Sequence, residues 1–177
     1  MKSLQHIKDF LPKDKFQLLK NYFEGNEVNW NFQSSTLEDK SDKNYLFSHI
    51  VPQEELTKND NWKDLFNRLE EHTGKLKIDR VKVNLYPNQN KAVQHAFHCD
   101  PMLADGSVPK NWITAIVNLT TCNGYTIIDK DKIMSKENEL IFFDADTKHC
   151  GSVQTDTETR IVININGEKL TWQKLET

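Results

Sequence analysis

The 177-residue sequence predicts an α+β fold: a double-sheet jelly roll, or double-stranded β-helix, with N-terminal helices packed on one sheet. Three observations predict it. Apolar residues recur at roughly helical spacing before Gly74 and alternate at strand spacing after it. The strand-like stretches are short and bounded by turn signals such as Pro87-Asn88 and Asn123-Gly124. Helices therefore come first and strands follow, which points to segregated layers rather than alternating βαβ units.

The first helix is carried by Phe10, Leu11, Phe16, Leu18, Leu19, Tyr22 and Phe23, with Gly25 as its stop. Asn59 or Asp60 caps a second helix over residues 62–72, where Trp62, Leu65, Phe66 and Leu69 form one face and Gly74 terminates. Strands are expected over residues 75–86, 112–119, 125–128, 139–143, 149–154 and 160–165. Within 75–86, Leu76 and Ile78 share one phase and Val81, Val83 and Leu85 the other, so a bulge or bend falls near Asp79 and Arg80. Ile161, Ile163 and Ile165 face an outer buried layer, while Arg160, Val162 and Asn164 face the opposite way. No repeat, low-complexity run or linker breaks the chain. One domain over 1–177 is expected, with 1–74 mainly helical support and 75–166 the jelly-roll core.

Charge narrows the function classes. Lys and Arg number 23 against 26 Asp and Glu, for a net charge of -3, and the two signs are mixed along the chain. No broad basic field exists to hold nucleic acid non-specifically, and no polybasic segment suits a membrane surface. No apolar stretch of about 18 residues occurs, and the N-terminus lacks the apolar core of a signal peptide. Three cysteines (Cys99, Cys122 and Cys150) without a secretion signal fit a reducing, cytoplasmic setting with no structural disulfide.

Candidate chemistry centres on His98 and Asp100. In an extended segment, positions i and i+2 share a face, so an imidazole and a carboxylate converge. His149 opens another predicted strand. Two histidines and one carboxylate hold three positions of an octahedral metal and leave three open, the arrangement of non-haem Fe(II) oxygenases. His95 is three before His98, so strand parity turns it to the opposite face as a structural or supporting residue. Parity likewise turns Cys99 and Cys150 away from the metal into packing, which makes thiolate ligation of zinc the weaker reading.

Arg160 lies eleven residues beyond His149, on the next strand, and an antiparallel neighbour would bring both to the interior. A buried Arg requires an anion, and its planar fork matches a carboxylate. Tyr86 can donate its hydroxyl to the same anion, and Asn84 shares its face. Loops 88–97 and 102–110 flank this region and are expected to select a substrate. Trp112, Phe47 and Tyr45 are candidates for a pocket wall, with core packing the plainer use.

These elements together resemble the 2-oxoglutarate/Fe(II)-dependent oxygenase superfamily: NLY (84–86), HCD (98–100), NGYTII (123–128), ELIFFDADTKHCG (139–151) and TRIVININ (159–166). The nearest look is to small prolyl-4-hydroxylase-like proteins of the type found in bacteriophages. The resemblance implies that His98, Asp100 and His149 bind Fe(II). It also implies that Arg160, assisted by Tyr86 and with Asn84 near, holds 2-oxoglutarate, and that O2 is a co-substrate for C–H hydroxylation of a prolyl or other protein side chain. Two departures loosen the prolyl assignment: prolyl 4-hydroxylases usually carry Lys where Arg160 stands, and Asn123-Gly124-Tyr125-Thr126 replaces a Gly-Gly-Thr or Gly-Gly-Glu pattern. Base demethylation of nucleic acid is an alternative within the superfamily, disfavoured by charge. A non-enzymatic jelly-roll or cupin-like metal protein is the alternative outside it. Oligomeric state is not encoded in any of these patterns.

Overall fold

The computed structural model describes residues 4–35, 44–101, 103 and 105–170. Met102 and Ala104, within the loop expected to flank the site, lie outside the described residues. In chain order the elements are β1 (Gln5–Ile7), α1 (Lys13–Glu24), β2 (Asn31–Gln33), β3 (Leu46–Ile50), α2 (Gln53–Lys58), α3 (Asp60–Thr73), β4 (Leu76–Pro87), β5 (Trp112–Asn118), β6 (Tyr125–Ile128), β7 (Asp131–Met134), β8 (Glu139–Asp144), β9 (His149–Gly151) and β10 (Thr159–Lys169).

Helix ends follow local chemistry. Pro12 stands at the start of α1, so Phe10 and Leu11 pack ahead of the helix rather than inside it. Phe16, Leu19 and Phe23, spaced three and four apart, give α1 its buried face. The Asn59 side chain accepts the Asn61 N–H at 2.9 Å and caps α3. Gly74, at φ 80°, ends α3 by donating its N–H to Glu70 O at 2.9 Å, a left-handed position that suits glycine. Helix α2 escapes periodicity because its six residues bury only Leu56.

Two antiparallel sheets face each other. The larger runs β1-β8-β5-β10-β4-β3-β2 and the smaller β7-β6-β9. Bridges Gln94↔Ser152 and His98↔His149 lay the segment 94–98 beside β9, extending the smaller sheet. The jelly-roll expectation holds, but residues 1–74 are not only helical support. Strands β1, β2 and β3 join both edges of the larger sheet. At three to five residues each, they are too short for alternation to register.

The bulge near Asp79 is present: Asn166 pairs Arg80 and Gly167 pairs Ile78, leaving Asp79 without a register partner. It re-phases β4 so that Arg80, Lys82, Asn84 and Tyr86 share the inner face. Val81, Val83, Ile113, Ala115, Val117, Ile161, Ile163 and Ile165 form the outer layer under α1 and α3. A smaller inner cluster (Leu46, Tyr86, Ile116, Ile128, Ile141, Phe143 and Val162) lies between the sheets. The outer layer fixes the sheet; the inner face carries the polar residues.

Leu65 is fully buried where α3 meets the larger sheet. Leu65→Ala should lower unfolding free energy by about 2–5 kcal/mol, read as a reduced urea midpoint with native far-UV circular dichroism retained.

Candidate metal centre

His98 and His149 face each other across a reciprocal pair of backbone bonds: His98 N–H donates to His149 O and His149 N–H to His98 O, both at 2.9 Å. Their rings lie 4.5 Å apart between centroids. Each Nδ1 contacts a carbonyl two residues earlier, His98 to Ala96 O at 3.1 Å and His149 to Thr147 O at 3.2 Å. A carbonyl only accepts, so Nδ1 carries the proton and Nε2 presents its lone pair. His149 Nε2 is buried with no hydrogen-bond partner. Asp100 completes the group: ligand atoms of His98, Asp100 and His149 all lie within 4.8 Å of one another.

The protonation states suit a cation. Burial, aided by the charge of His98, pushes His149 down from 6.5 to about 4 despite Asp100, so it is neutral at physiological pH. Burial opposes ionisation of Asp100, but Arg80 foremost, then His98, His149 and Lys82, hold its carboxyl below the usual range. A buried orphan lone pair, a second oriented imidazole and an ionised carboxylate make a hard, borderline donor set that fits Fe(II).

The three open onto a cavity of ≈ 60 Å³. That is roughly four to six water-sized positions, enough for a small ligand and not for a macromolecule. At its far end lies Arg160, 1% exposed. Nη1 donates to Ser152 O at 3.2 Å and Nη2 to Thr126 Oγ1 at 2.9 Å, while Nε has no partner. Its guanidinium carbon sits 5.3 Å from the Tyr86 ring centre. Burial pushes the Arg160 pKa down, yet guanidinium stays charged in proteins. Among the described residues no carboxylate pairs with it. Asn84, 8% exposed, lines the same cavity with an unpartnered Oδ1.

The six sequence-predicted residues therefore share one cavity, though not by the route anticipated. Arg160 is not on a strand beside His149. β10 pairs with β4 and β5 in the larger sheet, Arg160 opposite Tyr86, and reaches across to β9 in the smaller one. His95 does not turn away: it is 3% exposed, lines the cavity and lies 5.2 Å from the Tyr86 ring. Parity fails there because residues 95–97 lie between isolated bridges rather than in a ladder. Cys150 is fully buried, but Cys99 is half-exposed, with Sγ 3.5 Å from Asp146 O. Tyr45 is exposed and packs on Phe32 rather than in the core; Phe47 also meets Phe32, and Trp112 borders a separate hollow.

Several neighbours were not anticipated. Thr126 and Ser152 anchor Arg160. Gly124 leaves it room, since a Cβ there would stand 2.7 Å from Arg160 Cδ. Arg80, Asn164 and Asn166 surround Asp100. The β10 alternation already turned Asn164 inward; Arg80 was hidden by the bulge that re-phases it.

No family model and no curated protein sequence matches the chain. Solved structures do. A viral collagen prolyl hydroxylase from Paramecium Bursaria Chlorella virus-1, solved with 2-oxoglutarate, aligns over 93% of this chain and 96% of its own at TM-score 0.56 and 19% identity. A 2-oxoglutarate/Fe(II) oxygenase-family oxidoreductase from Burkholderia pseudomallei aligns over 94% and 84% at TM-score 0.66 and 9% identity. The chain has the fold of the 2-oxoglutarate/Fe(II)-dependent oxygenases. A Trichoplax adhaerens prolyl hydroxylase in complex with a hypoxia inducible factor peptide aligns over 98% and 87% at TM-score 0.59 and 16% identity. In this oxygenase fold the metal-type cluster and the buried Arg160 lie between the two sheets, where the jelly roll opens.

The depressed His149 predicts a pH response of the metal-free protein. Between about 4 and 6.5 the unfolded chain binds more protons than the folded one, so stability is complete above that window and falls as pH drops through it. Thermal melts stepped downward from neutral pH should show a declining Tm, and His149→Asn should remove much of that slope.

Proposed function

We propose that the chain is a 2-oxoglutarate- and Fe(II)-dependent dioxygenase that hydroxylates a C–H bond, on a prolyl or other protein side chain. The observation that carries this reading is Arg160: a fully buried guanidinium with only neutral partners, in the same small cavity as a two-histidine, one-carboxylate cluster. A zinc-only or purely structural site has no use for that cation. A dicarboxylate co-substrate does, because one end can bind metal while the other neutralises the Arg.

His98, Asp100 and His149 would hold Fe(II) on one face. Bound there, the metal with 2-oxoglutarate supplies O2 activation and C–H oxidation, releasing succinate and CO2. The protein's part is placement. Arg160 holds the distal carboxylate through its free donors; Thr126 and Ser152 O fix the fork, and the Tyr86 ring packs beside it. Tyr86 and Asn84 offer further polar contacts to the same anion. Inner-cluster residues Ile116 and Val162 line the cavity and limit water.

A cavity this small admits only a side chain of a larger substrate. The prolyl and peptide choice is supported by the peptide-bound hydroxylase among the similar structures. Asp and Glu outnumber Lys and Arg, which favours peptide over nucleic acid. No helix among the described residues is long and apolar enough to cross a membrane. A cytoplasmic, reducing setting, in which Fe(II) and free thiols persist, goes with this proposal, as does one catalytic domain over 1–177.

The test is turnover: Fe(II), 2-oxoglutarate and O2 should give succinate with proline-containing peptides and not with methylated oligonucleotides, the product carrying one added oxygen by mass spectrometry. Absence of both Fe-dependent 2-oxoglutarate binding and succinate overturns the reading. His98→Ala should abolish metal-dependent activity. Arg160→Ala should raise the KM for 2-oxoglutarate by at least about 30-fold, the loss expected for stripping a buried ion pair of one partner. Gly124→Ala, by displacing the Arg160 stem, should raise the same KM roughly 10- to 100-fold while leaving metal affinity intact.

A further inference from the structure

Asp100 is the only carboxylate in the metal cluster, and the protein grips it on one side. Asn164 Nδ2 donates to Oδ2 at 2.9 Å, and Arg80 Nη2 reaches the same Oδ2 at 3.3 Å. The same Oδ2 lies 3.8 Å from His98 Nε2, within the candidate cluster. Arg80 is itself anchored: Nε and Nη2 both donate to Asn166 Oδ1, at 3.0 and 2.8 Å. Asn166, fully buried, then donates Nδ2 to Asp100 O at 3.3 Å and Thr114 Oγ1 at 3.2 Å, while the Thr114 hydroxyl donates to Asp100 O at 2.6 Å.

Every role in this ring is forced. Arg can only donate, and an ionised carboxylate or a main-chain carbonyl can only accept, so neither amide can turn over without breaking bonds. Side chain and main chain of Asp100 are therefore held from two directions by β4, β5 and β10.

We infer that Arg80, braced by Asn166, is a positioning residue that holds Asp100 Oδ2 and so fixes the orientation in which the carboxylate is offered beside His98 and His149. This rests on the metal reading of His98, Asp100 and His149 but not on the identity of any co-substrate. A carboxylate tethered at one oxygen would present a single orientation to an ion held there. An untethered one can swing to chelate with both, or away from the ion, and in either case the number of open positions changes.

Charge and position make opposite forecasts. Arg80 is a cation beside a cation site, so on Coulomb grounds alone removing it should strengthen metal binding. If it acts by orienting Asp100, removing it should weaken binding, by about 10- to 100-fold for the loss of an outer hydrogen-bond partner. Arg80→Lys keeps the charge and can reach Oδ2, but it loses the two-pronged grip on Asn166 Oδ1.

The experiment is anaerobic Co(II) titration of wild type, Arg80→Ala, Arg80→Lys and Asn166→Ala, following visible absorption, with melting of each metal-free protein as a folding check. The expected result is weaker Co(II) affinity and altered band intensity in Arg80→Ala and Asn166→Ala, partial recovery in Arg80→Lys, and little change in metal-free Tm for Arg80→Ala. Unchanged or tighter binding with an unchanged spectrum in Arg80→Ala overturns the inference. Should Arg80→Ala fail to fold, Arg80→Lys decides: wild-type affinity and spectrum there overturn it, and weakened binding supports it. Wild type that binds no Co(II), or binds it unaltered after His98→Ala, overturns the metal reading itself, and the inference with it.

Discussion

β10 lies between β4 and β5 at the centre of the larger sheet, and its two faces cannot be moved independently. Side-chain direction along a strand alternates strictly, so the register that buries Ile161, Ile163 and Ile165 under α1 and α3 also presents Arg160, Val162, Asn164 and Asn166 inward. A slip of one residue would put a guanidinium and two amides into an apolar layer and three isoleucines into the cavity. The apolar core thus specifies the polar site. Apolar burial favours the register, while the desolvation of Arg160 opposes it unless an anion arrives.

The smaller sheet adds the complementary half. Its contribution is less a ladder than a clamp: one reciprocal backbone pair sets His98 opposite His149, and a carbonyl behind each ring fixes the tautomer. Main-chain geometry sets the imidazoles, whereas side-chain bonds from the larger sheet set the carboxylate. The smaller sheet and the segment bridged to it therefore carry all three candidate ligands, while the larger sheet holds one of them in place, so the relative position of the two sheets matters to the cluster.

Legibility in the sequence tracked the length of regular pattern. β4 and β10, at 12 and 11 residues, revealed their phase, the bulge and the inward residues. The histidine and aspartate of HCD were readable from i, i+2 parity, and Arg160 from its place among alternating isoleucines. What escaped was short or irregular. β1, β2, β3 and β7 are three to five residues long, and β7 exposes all but one of its four residues. His95 escapes parity because its segment bridges β9 and its continuation only at Gln94 and His98. Arg80 is hidden from alternation because its side of the strand depends on one unpaired residue, Asp79. Pairing between sheets was also beyond reach: alternation states which way Arg160 points but not whether His149 lies beside it or across from it.

Among the described residues that line the cavity, Asp100 alone carries a carboxylate, whereas Arg160 lines it with neutral partners and Arg80 grips Asp100 from its edge. A divalent cation placed among such groups would be held by one negative charge and repelled by the guanidinium groups. Imidazole lone pairs add ligand-field strength but no negative charge. A dianion entering the same cavity would change that balance, pairing with Arg160 at one end and with the metal at the other. Metal and dianion should then each raise the other's affinity, and by linkage the two enhancements are equal. Neither ligand needs a conformational change for this, since the coupling is electrostatic and acts across a cavity only a few water diameters wide. Under the proposed dioxygenase reading, the positive charge around the cluster is a reservation for an anion rather than a defect of the metal site.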